Sequence, residues 1–161
     1  RHIVITGGEP CLNKDLPDIV NELIGMGYHI TVETNGTIYH ENMPWAFMSI
    51  SPKLTSSYPY EMEEKLIHTR NNTFIKNVGK WVRSNDYQLK FVYNQKNDVF
   101  EILELEKLLG FEREKTYLMP QGISHEQLKD KQKQLFQICM SYGFNYTPRL
   151  HIDIFGNKRG I

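Results

Sequence analysis

The sequence predicts an α/β fold built around a mainly parallel sheet, formed by one domain over residues 1–161. Two observations predict it. Short runs of apolar and β-branched residues alternate with longer segments whose apolar residues recur at helical spacing. Because a crossover between parallel strands needs a covering helix, this alternation favours parallel pairing. The chain also contains no repeat, low-complexity tract or linker that would divide it.

The first elements form a strand–helix–strand unit. His2–Thr6 and His29–Glu33 are predicted strands, because both are rich in apolar and β-branched residues. Between them, apolar residues recur at helical spacing, and these are Leu16, Ile19, Val20, Leu23 and Ile24. Gly25 and Gly27 lie where this helix would end. A third strand is predicted at Ala46–Ile50.

The rest of the chain continues this alternation. Residues 54–86 are less regular, but helical pieces at Glu61–Arg70 and Phe74–Val82 would cover the sheet there. The remaining strands are predicted at Gln88–Tyr93, Lys115–Met119 and Leu150–Phe155. A helix precedes each of the last two strands, and the apolar positions of the two helices are Phe100, Leu103 and Leu109 in one and Leu128, Leu135, Phe136 and Met140 in the other.

The composition narrows the function classes. Lys plus Arg and Asp plus Glu number 19 each, so no net charge attracts nucleic acid. No apolar run approaches the roughly 18 residues of a membrane span, and no secretory leader is visible, so we expect a cytoplasmic protein. Cys11 and Cys139 form neither a disulfide framework nor a closely spaced metal knuckle. Because the chain starts at Arg1, directly before a predicted strand, we expect it to be the later part of a longer protein.

Five stretches of unusual composition follow predicted strands. They are GGEP after the first strand, ETNGT after the second, SPK after the third, PQG after the fifth and GNKRG after the sixth. All five lie at the carboxyl ends of strands, where ligands bind in parallel α/β folds. Random placement would have divided them between the two edges of the sheet. We therefore expect a ligand site at this edge.

The first of these stretches is predicted to present an exposed backbone edge. Gly7 and Gly8 allow a positive φ and a close approach of the backbone to a ligand, and Pro10 stiffens the exit of the turn. Carbonyl and amide groups exposed in this way can bind an ammonium group or a base edge. Glu9 either adds charge to that contact or braces the loop.

The loops resemble those of the radical S-adenosylmethionine superfamily and, within it, the 7-carboxy-7-deazaguanine synthase family. The similar motifs are TGGEP, ETNGT, SPK, YLMPQG and HIDIFGNKRG, and they extend over essentially the whole chain. The resemblance implies a partial, incomplete β/α barrel with mainly parallel strands. It also implies a lyase that rearranges 6-carboxy-5,6,7,8-tetrahydropterin to 7-carboxy-7-deazaguanine with loss of ammonia, in the biosynthesis of queuosine and related 7-deazapurines.

The same resemblance implies S-adenosylmethionine, a 4Fe-4S cluster and Mg²⁺ as cofactors. The family binds its cluster through a CxxxCxxC loop, which this sequence lacks, and neither Cys11 nor Cys139 can replace three clustered thiolates. We therefore expect the cluster and magnesium ligands upstream of Arg1, and no activity from this chain alone. No residue of the chain is assigned as a metal ligand or as a catalytic group.

The resemblance places cofactor-binding residues in four loops. They are Gly7, Gly8 and Glu9 after the first strand, Asn35 after the second, Ser51, Pro52 and Lys53 after the third, and Met119, Pro120, Gln121 and Gly122 at the fifth. Gly8 and Glu9 would lie against the methionine part of the cofactor, and the last four residues would frame its adenine. The Lys53 ammonium suits a carboxylate or a ribose. Asn35 either reaches the ribose or only forms a tight turn.

Four residues are predicted to contact the substrate. By the same resemblance, Thr6 would point its hydroxyl at the pterin; otherwise it bonds to backbone at the strand end. Glu33 ends a strand of apolar and β-branched residues, and its carboxylate accepts paired N–H donors of an aminopterin or forms a salt bridge. His151 bonds the substrate or is a satisfied core histidine. The α-carboxylate of Ile161 folds back towards the barrel mouth or belongs to a frayed tail.

Two other functions stay open at this point. One is a glycyl-radical activating enzyme of the same superfamily, whose substrate is another protein. The other is a barrel without a cluster that binds a nucleotide or serves as an interaction module. For the synthase, the expected partners are the small pterin substrate and an electron donor such as a flavodoxin, with no nucleic acid and no membrane, and a homodimer is left open.

Overall fold

The computed structural model describes the backbone of residues 1–58 and 64–158, and the side chains of residues 1–58 and 72–158. Its strands are β1 His2–Ile5, β2 His29–Thr34, β3 Phe47–Ile50, β4 Tyr87–Tyr93, β5 Thr116–Pro120 and β6 Asn145–Tyr146. They form a single sheet in the order β1-β2-β3-β4-β5-β6, and all neighbouring strands are parallel. The sheet does not close, because β1 and β6 each pair with one neighbour. The predicted α/β class with an incomplete parallel barrel is confirmed.

Within residues 1–58 and 64–158, five α-helices connect or follow these strands. They are α1 Leu16–Gly25, α2 Glu64–Ser84, α3 Asn97–Leu109, α4 His125–Tyr142 and α5 Leu150–Phe155. The two helical pieces predicted before β4 are one helix, α2, while Glu61–Glu63 lie outside the described residues. The ends of α4 follow local sequence rules. Ser124 accepts a hydrogen bond from the Gln127 amide at the start, and Gly143 with φ 76° ends the helix.

The core lies between these helices and one face of the sheet. Along β4, alternate side chains are fully buried, and these are Tyr87, Leu89, Phe91 and Tyr93. On β2 the buried side chains are Ile30, Val32 and Thr34, while Glu33 between them is exposed. Strand side chains alternate between faces, so the second face carries the polar residues. That second face is open and forms the floor of the incomplete barrel.

The sixth strand differs from its prediction. Leu150–Phe155 forms the short helix α5, whereas Asn145–Tyr146 pairs with β5. The Thr147 amide donates to the Leu118 carbonyl at 3.0 Å, and the next residue, Pro148, has no N–H for a further ladder bond. The strand therefore ends before the alternating stretch begins.

Exposure explains why the alternation in LHIDIF was misleading. Of its apolar residues only Ile152 is buried, while Leu150 and Ile154 are each 60% exposed. The amides of Ile152 and Asp153 both donate to the Arg149 carbonyl, which closes the first helical turn. Consequently the described part of GNKRG follows the helix α5, which ends at Phe155, and not a strand.

Candidate functional site

The loop after β1 leaves its backbone open. Gly7 and Gly8 have φ values of 100° and 52°, and a Cβ at either position would meet no atom within 4 Å. Both residues are exposed. Glycine is therefore required here by the backbone conformation and not by crowding, and the space beside the turn is free for a ligand.

Glu9 ties this loop to the end of β2. Its Oε1 accepts hydrogen bonds from the Thr34 hydroxyl at 2.6 Å and the Cys11 amide at 3.1 Å, and its Oε2 accepts from the Asn35 amide at 2.8 Å. Of the two roles considered for Glu9, the described contacts are those of a brace. Because both oxygens are occupied, the carboxylate positions Gly8 while still lining the cleft beside it.

Thr6 and Glu33 meet on the open face of the sheet. Ile5 pairs with Val32 in register, so the residues that follow them are neighbours. The Thr6 hydroxyl donates to Glu33 Oε2 at 3.1 Å. Glu33 makes no ion pair with any residue whose side chain the structure describes. Its exposed carboxylate therefore keeps acceptor capacity for a ligand.

A cleft of about 240 Å³ lies at the carboxyl ends of β1 to β4. The residues that line it are Gly8, Glu9, Glu33, Thr34, Asn35, Ser49, Ser51, Lys53 and Lys90. Six of them were predicted from the sequence: five lie in three different loops, and Glu33 lies on β2. Thr34, Ser49 and Lys90 were not predicted. The structure thus brings the first three loops together around one cavity, as the position of the motifs at one edge suggested.

Asn35 and Gly36 form a turn at this cleft. The Asn35 side-chain oxygen accepts from the amide and the hydroxyl of Thr37, at 2.9 and 2.6 Å, which occupies the carbonyl end of its side chain. Gly36 has φ 78°, and a Cβ there would lie 2.7 Å from the Val78 side chain and 2.9 Å from that of Ile50. The turn is structural, and the Asn35 side chain also lines the cleft.

The three residues of the loop after β3 differ in burial and in contacts. Pro52 is buried, Lys53 is exposed, and the Ser51 hydroxyl donates to the Lys90 carbonyl at 3.0 Å. This hydrogen bond joins the third loop to β4. The ammonium groups of Lys53 and Lys90 make no ion pair or hydrogen bond with the part of the chain that the structure describes.

The loop after β5 lies at the same edge but does not line the cleft. Met119 and Pro120 end the strand, the Gln121 side-chain oxygen accepts from Lys131 Nζ at 3.0 Å, and Gly122 is packed against Leu128. The cleft formed by the described residues is bounded by β1 to β4. The predicted contact of this loop with the adenine therefore stays a prediction.

The two predicted residues near the end of the chain have different outcomes. His151 is exposed on α5 and does not begin a strand, so the core-histidine alternative is wrong. Arg149, just before this helix, donates to the Gly122 carbonyl at 2.9 Å, which holds α5 near the loop after β5. Ile161 lies outside the described residues.

The two cysteines do not resemble cluster ligands. Cys11 and Cys139 are both buried, and burial raises the pKa of each thiol to about 11. An iron–sulfur cluster is held by several cysteine thiolates gathered at one place. Within residues 1–58 and 72–158, no group of three or more His, Cys, Asp or Glu side chains is arranged to hold a metal ion.

Across the described residues, no helix is long and apolar enough to cross a membrane.

Sequence comparison finds close similarity to one kind of enzyme. The chain is 36% identical over 97% of its length to a 7-carboxy-7-deazaguanine synthase of Halobacterium salinarum, and covers 65% of that protein. It is 34% identical over 99% of its length to that of Rhodopirellula baltica and covers 63% of it. The chain thus spans slightly less than two thirds of these relatives. No family model matches the chain.

Structure comparison identifies similar folds at low identity. QueE from Escherichia coli matches with a TM-score of 0.61 and 24% identity, covering 92% of this chain and 56% of that one. SuiB from Streptococcus suis matches with a TM-score of 0.64 and 12% identity, covering 99% and 43%. A further structure of SuiB is described as bound to S-adenosylmethionine and matches with a TM-score of 0.57. These likenesses concern the fold alone.

Proposed function

We propose that the cleft of this chain serves the reaction of the 7-carboxy-7-deazaguanine synthases, because the chain is similar to these enzymes in sequence and its fold resembles that of QueE. That reaction rearranges 6-carboxy-5,6,7,8-tetrahydropterin to 7-carboxy-7-deazaguanine, on the way to queuosine. The observation that carries the proposal is the cleft itself. The exposed Gly7–Gly8 turn is braced by Glu9, and Gly8 lines the same cleft as Glu33, whose carboxylate makes no ion pair with a described residue.

S-adenosylmethionine fits the residues on the β1 side and the β3 side of this cleft. Its amino group suits the open backbone carbonyls of the Gly7–Gly8 turn, because no Cβ stands in the way. Its carboxylate suits the Lys53 ammonium, which is exposed and has no described partner. Bound S-adenosylmethionine supplies the hydrogen-abstracting chemistry of this enzyme class.

The pterin fits the open face of β1 and β2. An aminopyrimidine presents adjacent N–H donors, and the Glu33 carboxylate can accept them in pairs. The Thr6 hydroxyl, which donates to Glu33 Oε2, holds that carboxylate in position. These residues bind and orient the substrate, and the walls of the cleft restrict the access of water. No proton transfer is assigned to a residue of this chain.

The described residues do not fit an iron–sulfur cluster or a magnesium ion. The two thiols are buried with raised pKa values, and no carboxylate and imidazole cluster is present within the described residues. We therefore assign no step to these groups and propose that their ligands lie elsewhere in the natural protein. On this basis the described residues alone do not complete the reaction.

The proposed reaction also defines an enzyme class, an electron donor and a cellular location. Loss of ammonia makes it a carbon–nitrogen lyase reaction, and its cofactor needs a reductant such as a flavodoxin. We place the enzyme in the cytoplasm and assign it no nucleic-acid or membrane partner, in keeping with its balanced charge of 19 basic and 19 acidic residues. A homodimer is compatible with the proposal.

The names of the relatives support the synthase over a glycyl-radical activating enzyme or a cluster-free binding module.

The test is turnover by the natural full-length protein. It would be produced and purified without oxygen and supplied with S-adenosylmethionine, a reductant and 6-carboxy-5,6,7,8-tetrahydropterin. We expect 7-carboxy-7-deazaguanine and ammonia in equal amounts, formed only when S-adenosylmethionine and the reductant are both present. A cluster-loaded protein that consumes S-adenosylmethionine but forms no such product would overturn the proposed substrate.

A further inference from the structure

Lys90 rises from the floor of the open barrel. It lies in the middle of β4, where its backbone is held from both sides: its carbonyl accepts from the Ser51 hydroxyl at 3.0 Å, and it pairs in register with Tyr117 of β5. The burial alternation of β4 puts Lys90 on the face opposite the core. Its side chain therefore lines the cleft from a strand and not from a loop.

The Lys90 ammonium has no partner among the described residues. Lys90 is only partly exposed, yet no described ion pair or hydrogen bond involves its Nζ. The Glu9 carboxylate, which lines the same cleft, is occupied by three donors of the chain. Placing a lysine in a partly buried cleft without a counter-charge is unfavourable, unless a ligand supplies the anion.

Lys90 and Glu33 do not form an ion pair with each other in the structure. Glu33 is on β2 and Lys90 is on β4, with β3 between them. Neighbouring strands lie about 4.8 Å apart, so the two backbones are separated by about 10 Å across the sheet. The cleft consequently offers a carboxylate at one end and an ammonium at the other, with small polar side chains of Ser49 and Ser51 between them.

We propose that Lys90 is a specificity-determining residue that binds the carboxylate of the pterin substrate. The inference rests on the proposed function and extends it. The donor-rich aminopyrimidine edge and the 6-carboxylate lie at opposite ends of the bicyclic substrate, which matches the separated Glu33 and Lys90 groups. The cofactor and the substrate carry one carboxylate each, and the cleft carries two free lysines. Lys53, on the loop, takes the cofactor, and Lys90, on the strand, takes the substrate.

The experiment compares two stable probes on the anaerobically purified full-length protein. 6-Carboxypterin carries the carboxylate, and pterin lacks it. Calorimetry with S-adenosylmethionine present should show that the wild-type protein binds 6-carboxypterin about 10- to 100-fold more tightly, the size expected for a charge-assisted hydrogen bond. Equal affinity for the two probes would overturn the inference without any variant.

Four variants locate the preference. Lys90→Met should abolish the preference for 6-carboxypterin and raise the KM for the substrate by a similar factor, with little change in S-adenosylmethionine affinity. Lys90→Arg keeps the charge and should retain most of the preference. Lys53→Met should instead weaken S-adenosylmethionine binding. Lys80→Met on α2, whose ammonium lies 3.9 Å from Glu41, is the control and should change neither affinity.

The outcomes separate this inference from the proposed function. If the wild type turns over and Lys90→Met keeps the full preference for 6-carboxypterin, Lys90 does not bind the carboxylate and the inference fails while the function stands. If the wild type forms no product but Lys90→Met still abolishes the preference, the proposed function fails and the carboxylate site stands. If Lys90→Met does not fold, loss of the preference in Lys90→Arg would also overturn the inference.

Discussion

At the scale of single residues, Glu9 and Glu33 show how two carboxylates in one cleft differ in role. Glu9 accepts three hydrogen bonds from β2, its following loop and its own turn, so the fold uses both of its oxygens. Glu33 accepts one hydrogen bond, from Thr6, and is exposed. The same substitution should therefore mainly lower stability at Glu9 and mainly impair substrate binding at Glu33.

The change Glu33→Gln should reduce turnover strongly with little effect on folding. The amide keeps the shape of the side chain but replaces one acceptor by a donor, which would face a ring N–H of the substrate and stay unpaired. We expect a loss of at least 10-fold in kcat/KM, with the thermal unfolding midpoint and S-adenosylmethionine affinity almost unchanged. A lower unfolding midpoint with normal turnover would show that Glu33 only braces the sheet.

The change Glu9→Gln should affect folding as well as binding. One amide group cannot accept from the Thr34 hydroxyl and from the Cys11 and Asn35 amides at once, so at least one buried donor loses its partner. We expect the free energy of unfolding to fall by about 1 to 3 kcal/mol. Chemical denaturation measures this, and calorimetry should show weaker S-adenosylmethionine binding because the Gly8 turn is less firmly held. Unchanged stability would contradict the brace.

At the scale of elements, the turn after β2 depends on Gly36, a glycine of the turn that packs closely against a helix and a strand. Gly36 has φ 78°, and the side chains of Val78 on α2 and Ile50 on β3 leave no room for a Cβ. The close contact sets how near α2 lies to the carboxyl ends of β2 and β3. A turn that also lines the cleft is thus positioned from behind by the packing of a helix.

The change Gly36→Ala should destabilise the protein by about 2 to 5 kcal/mol, since it adds left-handed strain and overpacking. The matched control is Gly27→Ala. Gly27 has a similar φ of 85°, but a Cβ there would meet no atom within 4 Å, so only the strain should remain, at about 1 to 2 kcal/mol. Urea denaturation of both variants measures the difference. Equal losses would show that Gly36 is not crowded in solution.

At the scale of the whole molecule, the described residues supply a ligand cleft without supplying a metal centre. The parallel sheet brings residues of three loops and four strand residues together around one cleft. Both cysteines are buried and belong to the apolar core. The relatives are longer than this chain, which spans 65% and 63% of the two described above.

The double change Cys11→Ala and Cys139→Ala should leave the iron content of the anaerobically purified full-length protein unchanged. Burial raises the pKa of each thiol to about 11, so neither is a thiolate near neutral pH. Some stability should be lost, because two buried side chains become smaller. Iron per protein would be measured by a colorimetric assay. A fall in iron at unchanged folding would show that one of these cysteines is a cluster ligand.

Local patterns in the sequence determined the alternation of strands and helices, the glycines of the turns and the gathering of motifs at one sheet edge. The reason is that helical and strand periodicity and positive φ are properties of a few consecutive residues. These features predicted the α/β class, β1 to β5 and six of the residues that line the cleft. The resemblance of the motifs to one family agrees with the relatives that sequence comparison finds.

Only the tertiary structure decided features that depend on distant residues. The strand partner of β5 is Asn145–Tyr146, because Pro148 ends the ladder before the more strand-like LHIDIF begins. Phe136 and Met140 fit a helical apolar pattern, yet they are 51% and 72% exposed. Lys90 is an ordinary lysine in the sequence, and it becomes part of the cleft because β3 places Ser51 beside it and leaves Glu33 two strands away. Such pairings join residues far apart in the chain, so no local pattern specifies them.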